Sequence, residues 1–138
     1  MTRDELKNIL PHREPMLLID EAELVDGVAI AKYTVKGDEF FLRGHFPGNP
    51  VVPGVILCEM MGQSACVLVS GEMSGATPYF TGMNNVKFKN KVLPGDTVTF
   101  KSTLDKVKGP FYFMKSAGYL NDKLCVSGEL SFAVVKNG

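Results

Sequence analysis

The sequence predicts an α+β fold in which one long antiparallel sheet curls around a single buried helix. Three observations predict it. A stretch from Val55 to about Val69 is apolar on nearly every side, so it must be buried all round if it is a helix. The second half of the chain alternates between apolar and polar residues in runs separated by tight turn signals. Sequential strands joined by tight turns imply antiparallel pairing. A curled sheet around the helix is the simplest way to satisfy both.

The elements follow in order. Thr2 and Glu5 have capping-box spacing, and Leu6, Ile9 and Leu10 give a short helix an apolar side before Pro11 stops it. Residues 16–24 and 28–35 read as strands, with Asp26-Gly27 as a two-residue hairpin turn between them. Residues 44–54 are loop chemistry, and Pro47, Pro50 and Pro53 are expected to hold this backbone extended and stiff. Pro53 suits the first helical turn and Gly71 the helix end. Strands are expected over residues 79–92, 97–107, 111–120 and 123–135, divided by Pro94-Gly95-Asp96, Gly109-Pro110 and Asn121-Asp122. A chain of 138 residues with no linker or repeat is expected to form a single domain, 1–138.

Bulk properties exclude some functions. Fifteen basic and 15 acidic residues balance, which argues against a nucleic-acid binder. Three cysteines give no disulfide framework and suit a reducing compartment. The polar N-terminus lacks the apolar core of a signal peptide, so the expected location is the cytoplasm. Residues 51–69 could span a bilayer by length, but Pro53, Glu59 and Gln63 favour a buried core helix.

Candidate chemistry gathers around the start of that helix. His45 lies in the proline-rich loop before it, either as an acid–base group or as a pin for the loop. Glu59 is the only charged residue between Arg43 and Glu72. Burial disfavours a charged carboxylate, so Glu59 is expected to be partly protonated and able to act as a general acid. A purely structural hydrogen-bonding role is the alternative. Gln63, one turn further along the same face, could orient Glu59. The N–H groups of Gly54 and Val55 lack partners in the first helical turn and could polarise a carbonyl. Cys58 reads as a small buried hydrophobe rather than a nucleophile, and His12 as structural. There is no metal-ligand spacing, phosphate loop or dinucleotide fingerprint. A base, a carbonyl-polarising N–H and an acid for a leaving hydroxyl are the parts needed to remove water from a β-hydroxyacyl thioester.

Longer motifs carry a resemblance. Leu10-Pro11-His12-Arg13 with Met16-Leu17-Leu18-Ile19-Asp20, the run from Gly44 to Val55 followed by Glu59 and Gln63, Tyr79-Phe80-Thr81-Gly82-Met83, and Val92-Leu93-Pro94-Gly95-Asp96 resemble the bacterial β-hydroxyacyl–acyl-carrier-protein dehydratases of the FabZ type. The resemblance covers almost the whole chain. It implies a hot-dog fold, a catalytic dimer often assembled as three dimers in a hexamer, and no metal or redox cofactor. It puts the catalytic pair on His45 and Glu59, paired across the dimer interface, with the Gly54 amide, and with it Val55, on the thioester carbonyl. The substrate it implies is a (3R)-hydroxyacyl chain on acyl carrier protein. Met60-Met61-Gly62 departs from the family's usual Ala-Leu-Ala, which bears on the acyl tunnel. Glu59, where isomerising relatives carry Asp, favours a plain dehydratase. Because acyl carrier protein is acidic, Lys87, Lys89 and Lys91 are a candidate docking patch, expected on one strand face. A hot-dog thioesterase, a dehydratase with added isomerase activity and a non-catalytic acyl-binding module remain the alternatives.

Overall fold

The structure is a computed structural model that describes residues 1–46, 48–73 and 75–136. Among the described residues the backbone forms two α-helices, α1 (Arg3–Leu6) and α2 (Gly54–Cys66). Six strands follow: β1 (Glu21–Val25), β2 (Val28–Thr34), β3 (Ala76–Phe88), β4 (Thr97–Lys108), β5 (Phe111–Leu120) and β6 (Lys123–Lys136). They form one antiparallel sheet in the order β1-β2-β4-β5-β6-β3. β2 and β4 are neighbours, although α2 and β3 lie between them in the chain. β3 returns to the far edge beside β6. The sheet wraps α2, which is the hot-dog arrangement.

Turn chemistry sets the hairpins. Asp26 and Gly27 both have positive φ, 50° and 80°, which matches a turn whose twist suits the flanking strands. Asn121 (φ 55°) starts the β5–β6 turn in the same left-handed region. The capping box at Thr2 and Glu5 is present at α1.

Inside the sheet, alternation puts Ala29, Ala31 and Tyr33 of β2 and Val98, Phe100 and Ser102 of β4 in the core. Large and small residues interlock across strands. Phe100 faces Gly118 in register, and a Cβ on Gly118 would lie 2.8 Å from the Phe100 ring. The one buried polar pair across β4 and β5, Ser102 and Ser116, hydrogen-bonds to itself at 2.8 Å.

Three elements differ from the sequence reading. Residues 16–20 are not strand. Leu17, Leu18 and Ile19 are all buried in succession, so this stretch has no alternating face. Its carbonyls are taken by side chains instead: Arg3 donates to the oxygens of Leu17 (2.7 Å) and Ile19 (2.9 Å). The long strand expected over residues 79–92 starts earlier and ends at Phe88, after a register shift between Asn84 and Lys87. Asn85, at φ 53°, marks this bulge. The central helix ends at Cys66 and continues as a 3₁₀ segment through Met73, so Gly71 lies within that segment. Pro53 is its N-cap rather than part of its first turn.

The apolar stretch Gly54–Gly71 has a mean hydropathy of 1.4, enough for a membrane span by composition, yet it forms the core. Burial is not complete around α2, as the sequence had suggested. Leu57, Cys58 and residues 60–66 are buried, but Val55 at the helix start is 76 % exposed. Phe46, Phe88, Tyr79 and Met83 are exposed as well.

Candidate active site

The loop before α2 is held by its own hydrogen bonds. Val51 N–H donates to the His45 carbonyl at 2.9 Å, and Phe46 and Asn49 exchange backbone bonds at 3.2 and 2.8 Å. Gly48 supplies the positive φ (74°) that the tight turn needs. Pro47, one of the three prolines expected to stiffen the loop, lies outside the described residues. His45 stacks on Phe46 with ring centroids 4.1 Å apart. Its Nδ1 is 3.1 Å from the Val51 carbonyl oxygen. A carbonyl can only accept, so Nδ1 carries the hydrogen and donates it. In the neutral ring, that assignment puts the lone pair on Nε2.

Gly54 and Val55 open α2. Ile56 and Leu57 N–H groups both donate to the Pro53 carbonyl, at 3.0 and 3.1 Å. The Gly54 and Val55 N–H groups, as the first two of the helix, have no acceptor within it. A Cβ at Gly54 would lie 2.9 Å from the Phe88 ring, so the absence of a side chain makes room for that ring against the helix start. Gly54, Leu57 and Phe88 help line a cleft of about 370 Å³. Lys89 and Lys91 sit on its rim. The three lysines are therefore not on one strand face. Only Lys87 belongs to β3, because the strand has ended by Lys89.

Glu59 sits one turn deeper in α2. Gln63 is 1 % exposed and donates from Nε2 to Glu59 Oε2 at 2.9 Å. Gln63 is itself fixed twice, donating to the Met16 carbonyl at 2.6 Å and accepting from Leu18 N–H at 2.8 Å. The expected orienting role thus has a geometric basis, and the non-strand segment 16–20 supplies the anchor. His12 Nε2 lies 3.4 Å from the same Glu59 oxygen. Sequence reasoning took His12 as merely structural and missed this contact. Its signal was the shared motif with residues 16–20, which the fold lays across α2. The Glu59 side chain keeps 22 % of its surface exposed, so its burial is less complete than expected.

Glu59 and His12 line a second cavity, of about 140 Å³, with Gly62, Cys66, Phe80 and Phe132 among its walls. Burial, and then the charge of Glu59, push the Cys66 thiol up to about 12, so it stays protonated and is no nucleophile at neutral pH. Cys58 is buried and burial raises its thiol too, in keeping with a packing role. Among the described residues, no group of three His, Cys, Asp or Glu side chains is placed to hold a metal ion. His45 and Glu59 do not bond to each other within the chain. Val51 holds one, and His12 and Gln63 hold the other.

The fold defines a class: a hot-dog protein, here with an imidazole before its central helix and a carboxyl group on it. Comparison with known proteins narrows it. The family described as ApeI-like, ApeI dehydratase, matches residues 21–129. The 3-hydroxyacyl-[acyl-carrier-protein] dehydratase FabZ of Clostridium perfringens is 39 % identical over 137 residues, covering 97 % of this chain and 99 % of the relative. The protein of the same name from Oenococcus oeni is 41 % identical over 138 residues, covering 97 % and 99 %. Among solved structures, the dehydratase heterocomplex ApeI:P from Xenorhabdus doucetiae shares the fold. Its TM-score is 0.79 at 21 % identity, covering 96 % of this chain and 91 % of that one. The chain belongs to the FabZ dehydratase family.

Proposed function

We propose that this chain dehydrates a (3R)-hydroxyacyl thioester, carried on the phosphopantetheine arm of acyl carrier protein, to the trans-2-enoyl thioester of fatty-acid synthesis. The observation that carries this reading is the His45 hydrogen bond to Val51, which leaves Nε2 free as a base in the loop before α2. His45 Nε2 takes the proton from the α-carbon. The thioester oxygen, gaining negative charge, accepts from the Gly54 N–H and with it the Val55 N–H at the positive end of the helix dipole. Glu59 gives its proton to the β-hydroxyl as the C–O bond breaks. Water leaves, a double bond joins the α- and β-carbons, and solvent returns the proton from His45 to Glu59. Gln63 holds the carboxyl group in position.

The site needs a second copy of the chain. His45 and Glu59 have different partners within one chain, Val55 is largely uncovered, and β3 is an edge strand that pairs, among the described residues, with β6 alone. A homodimer, assembled further as three dimers, covers this surface and brings the His45 of one copy to the Glu59 of the other. The chain works as a single domain, 1–138, in the cytoplasm, without a metal or redox cofactor. Lys89 and Lys91 on the cleft rim, with Lys87 nearby, receive the acidic carrier.

Hydration of an enoyl thioester tests the reading. The expected result is loss of enoyl absorbance with no release of free thiol. Thiol release would make the protein a thioesterase, and inertness in both assays would make it a binding module. Either outcome overturns the proposal.

A further inference from the structure

Gly62 lies inside α2, three residues after Glu59, where glycine weakens a helix relative to alanine. Its φ is not in the positive range, so the backbone itself does not call for glycine. A neighbour does. A Cβ on Gly62 would lie 2.4 Å from Cζ of Phe80, 3.0 Å from its Cε2 and 3.4 Å from Cζ of Phe132. The Phe80 ring therefore fills the space a side chain at 62 would occupy and rests on the helix backbone.

Phe80 keeps 39 % of its surface exposed, and two strands hold its ring over the helix. Phe80 of β3 pairs with Phe132 of β6, their centroids 4.6 Å apart and the rings tilted by 31°. The register shifts immediately after Phe80. The ring forms one wall of the cavity of about 140 Å³ beside Glu59. A cavity of about 150 Å³ accepts one benzene ring, so this space holds roughly six carbons. Beyond Glu59 and His12 its walls are mainly apolar, which suits a hydrocarbon tail. If Glu59 meets the β-hydroxyl, the carbons beyond it enter this cavity and run toward Phe80.

We propose that Phe80, admitted by Gly62, ends the acyl pocket and makes the enzyme selective for short acyl tails. This assignment of chain length rests on the dehydratase reading above. One methylene more or fewer in an apolar pocket is worth about 10- to 200-fold in specificity. Removing the ring joins its volume to the cavity and lets longer tails in. An alanine at 62 strikes the far end of the Phe80 side chain and has to unseat the ring.

The test compares kcat/KM for 3-hydroxybutyryl, 3-hydroxyoctanoyl and 3-hydroxydodecanoyl thioesters in the full-length wild type, Phe80→Ala, Phe80→Leu and Gly62→Ala. The wild type is expected to favour the four-carbon over the twelve-carbon substrate by about tenfold or more. Phe80→Ala is expected to raise the twelve- to four-carbon ratio by about tenfold or more, and Phe80→Leu by less. Gly62→Ala should shift the ratio as well. Thermal melts establish which variants fold, and Phe80→Leu decides if the alanine variant does not. A wild type indifferent to chain length, or folded Phe80 variants with its profile, overturns the pocket assignment. A wild type inert on all three thioesters overturns the dehydratase reading itself.

Discussion

Replacing Gln63 with leucine should cost far more than a surface substitution. Gln63 is almost fully buried and makes three hydrogen bonds, to Leu18 N–H, the Met16 carbonyl and Glu59. Leucine fills a similar volume but satisfies none of them. Two backbone groups of the segment lying over α2 lose their partner, at about 1–3 kcal/mol each where water cannot replace it. The apolar gain of leucine offsets part of this, leaving an expected loss of about 3 kcal/mol. For a domain of this size that lowers Tm by roughly 10 °C. Urea unfolding of wild type and Gln63→Leu, at one protein concentration so that assembly does not shift the comparison, measures it. Gln63→Glu should do no better, because a carboxylate there would face both the Met16 carbonyl and Glu59. A Gln63→Leu protein within about 0.5 kcal/mol of wild type, the usual range for surface changes, would refute the reasoning.

Three further outcomes are expected. His12→Ala removes the histidine beside Glu59, and kcat should fall by up to about tenfold, the scale of one hydrogen bond; an unchanged kcat would leave His12 with only a structural role. Burial opposes charge at Glu39, but bonds from Tyr33 and the N–H groups of Lys36 and Gly37 outweigh it and hold the carboxyl below its ordinary 4.5. Its folded pKa is therefore lower than its unfolded one, so its stabilisation is complete above pH 4.5 and is lost as pH falls through the folded value. Glu39→Gln should show a shallower loss of stability on acidification, and parallel acid melts would contradict this. Charge reversal at Lys87, Lys89 and Lys91 should raise KM for the carrier-linked substrate while sparing a small thioester analogue, whereas equal effects on both would remove these lysines from carrier docking.

Local chemistry was the legible part of the fold. Asp26-Gly27, Pro94-Gly95-Asp96 and Asn121-Asp122 each demand particular backbone angles, so the turns were readable without the rest of the chain. The all-round apolarity of α2 likewise announced a central helix. What stayed hidden depends on contacts between distant segments. Leu17-Leu18-Ile19 read as strand because apolar β-formers were present, but their polar groups went to Arg3 and Gln63. The placement of β3 beside β6, rather than beside its sequence neighbour β4, is a topological outcome that no local pattern contains.

The site divides in the same way. His45 and Glu59 each had a structural alternative in the sequence, and they stood out with Gln63 because the proline-rich loop, the apolar helix and the family motif from Gly44 to Val55 converge on them; the geometry gives each a defined partner. His12 was passed over because its contact with Glu59 spans 47 positions of sequence. Gly62 was legible as an oddity in a helix, but its reason, the Phe80 ring, comes from a strand on the far edge of the sheet.

The central claim is a dehydratase site shared between two copies, with His45 from one and Glu59 from the other. Mixing His45→Ala protein with Glu59→Gln protein under conditions of subunit exchange tests it directly. In a two-fold dimer each mixed pair has one intact site and one doubly altered site, so random exchange should restore about one quarter of wild-type sites from two inactive parents. No activity in a mixture whose mixed dimers are demonstrated by native mass spectrometry would contradict the account.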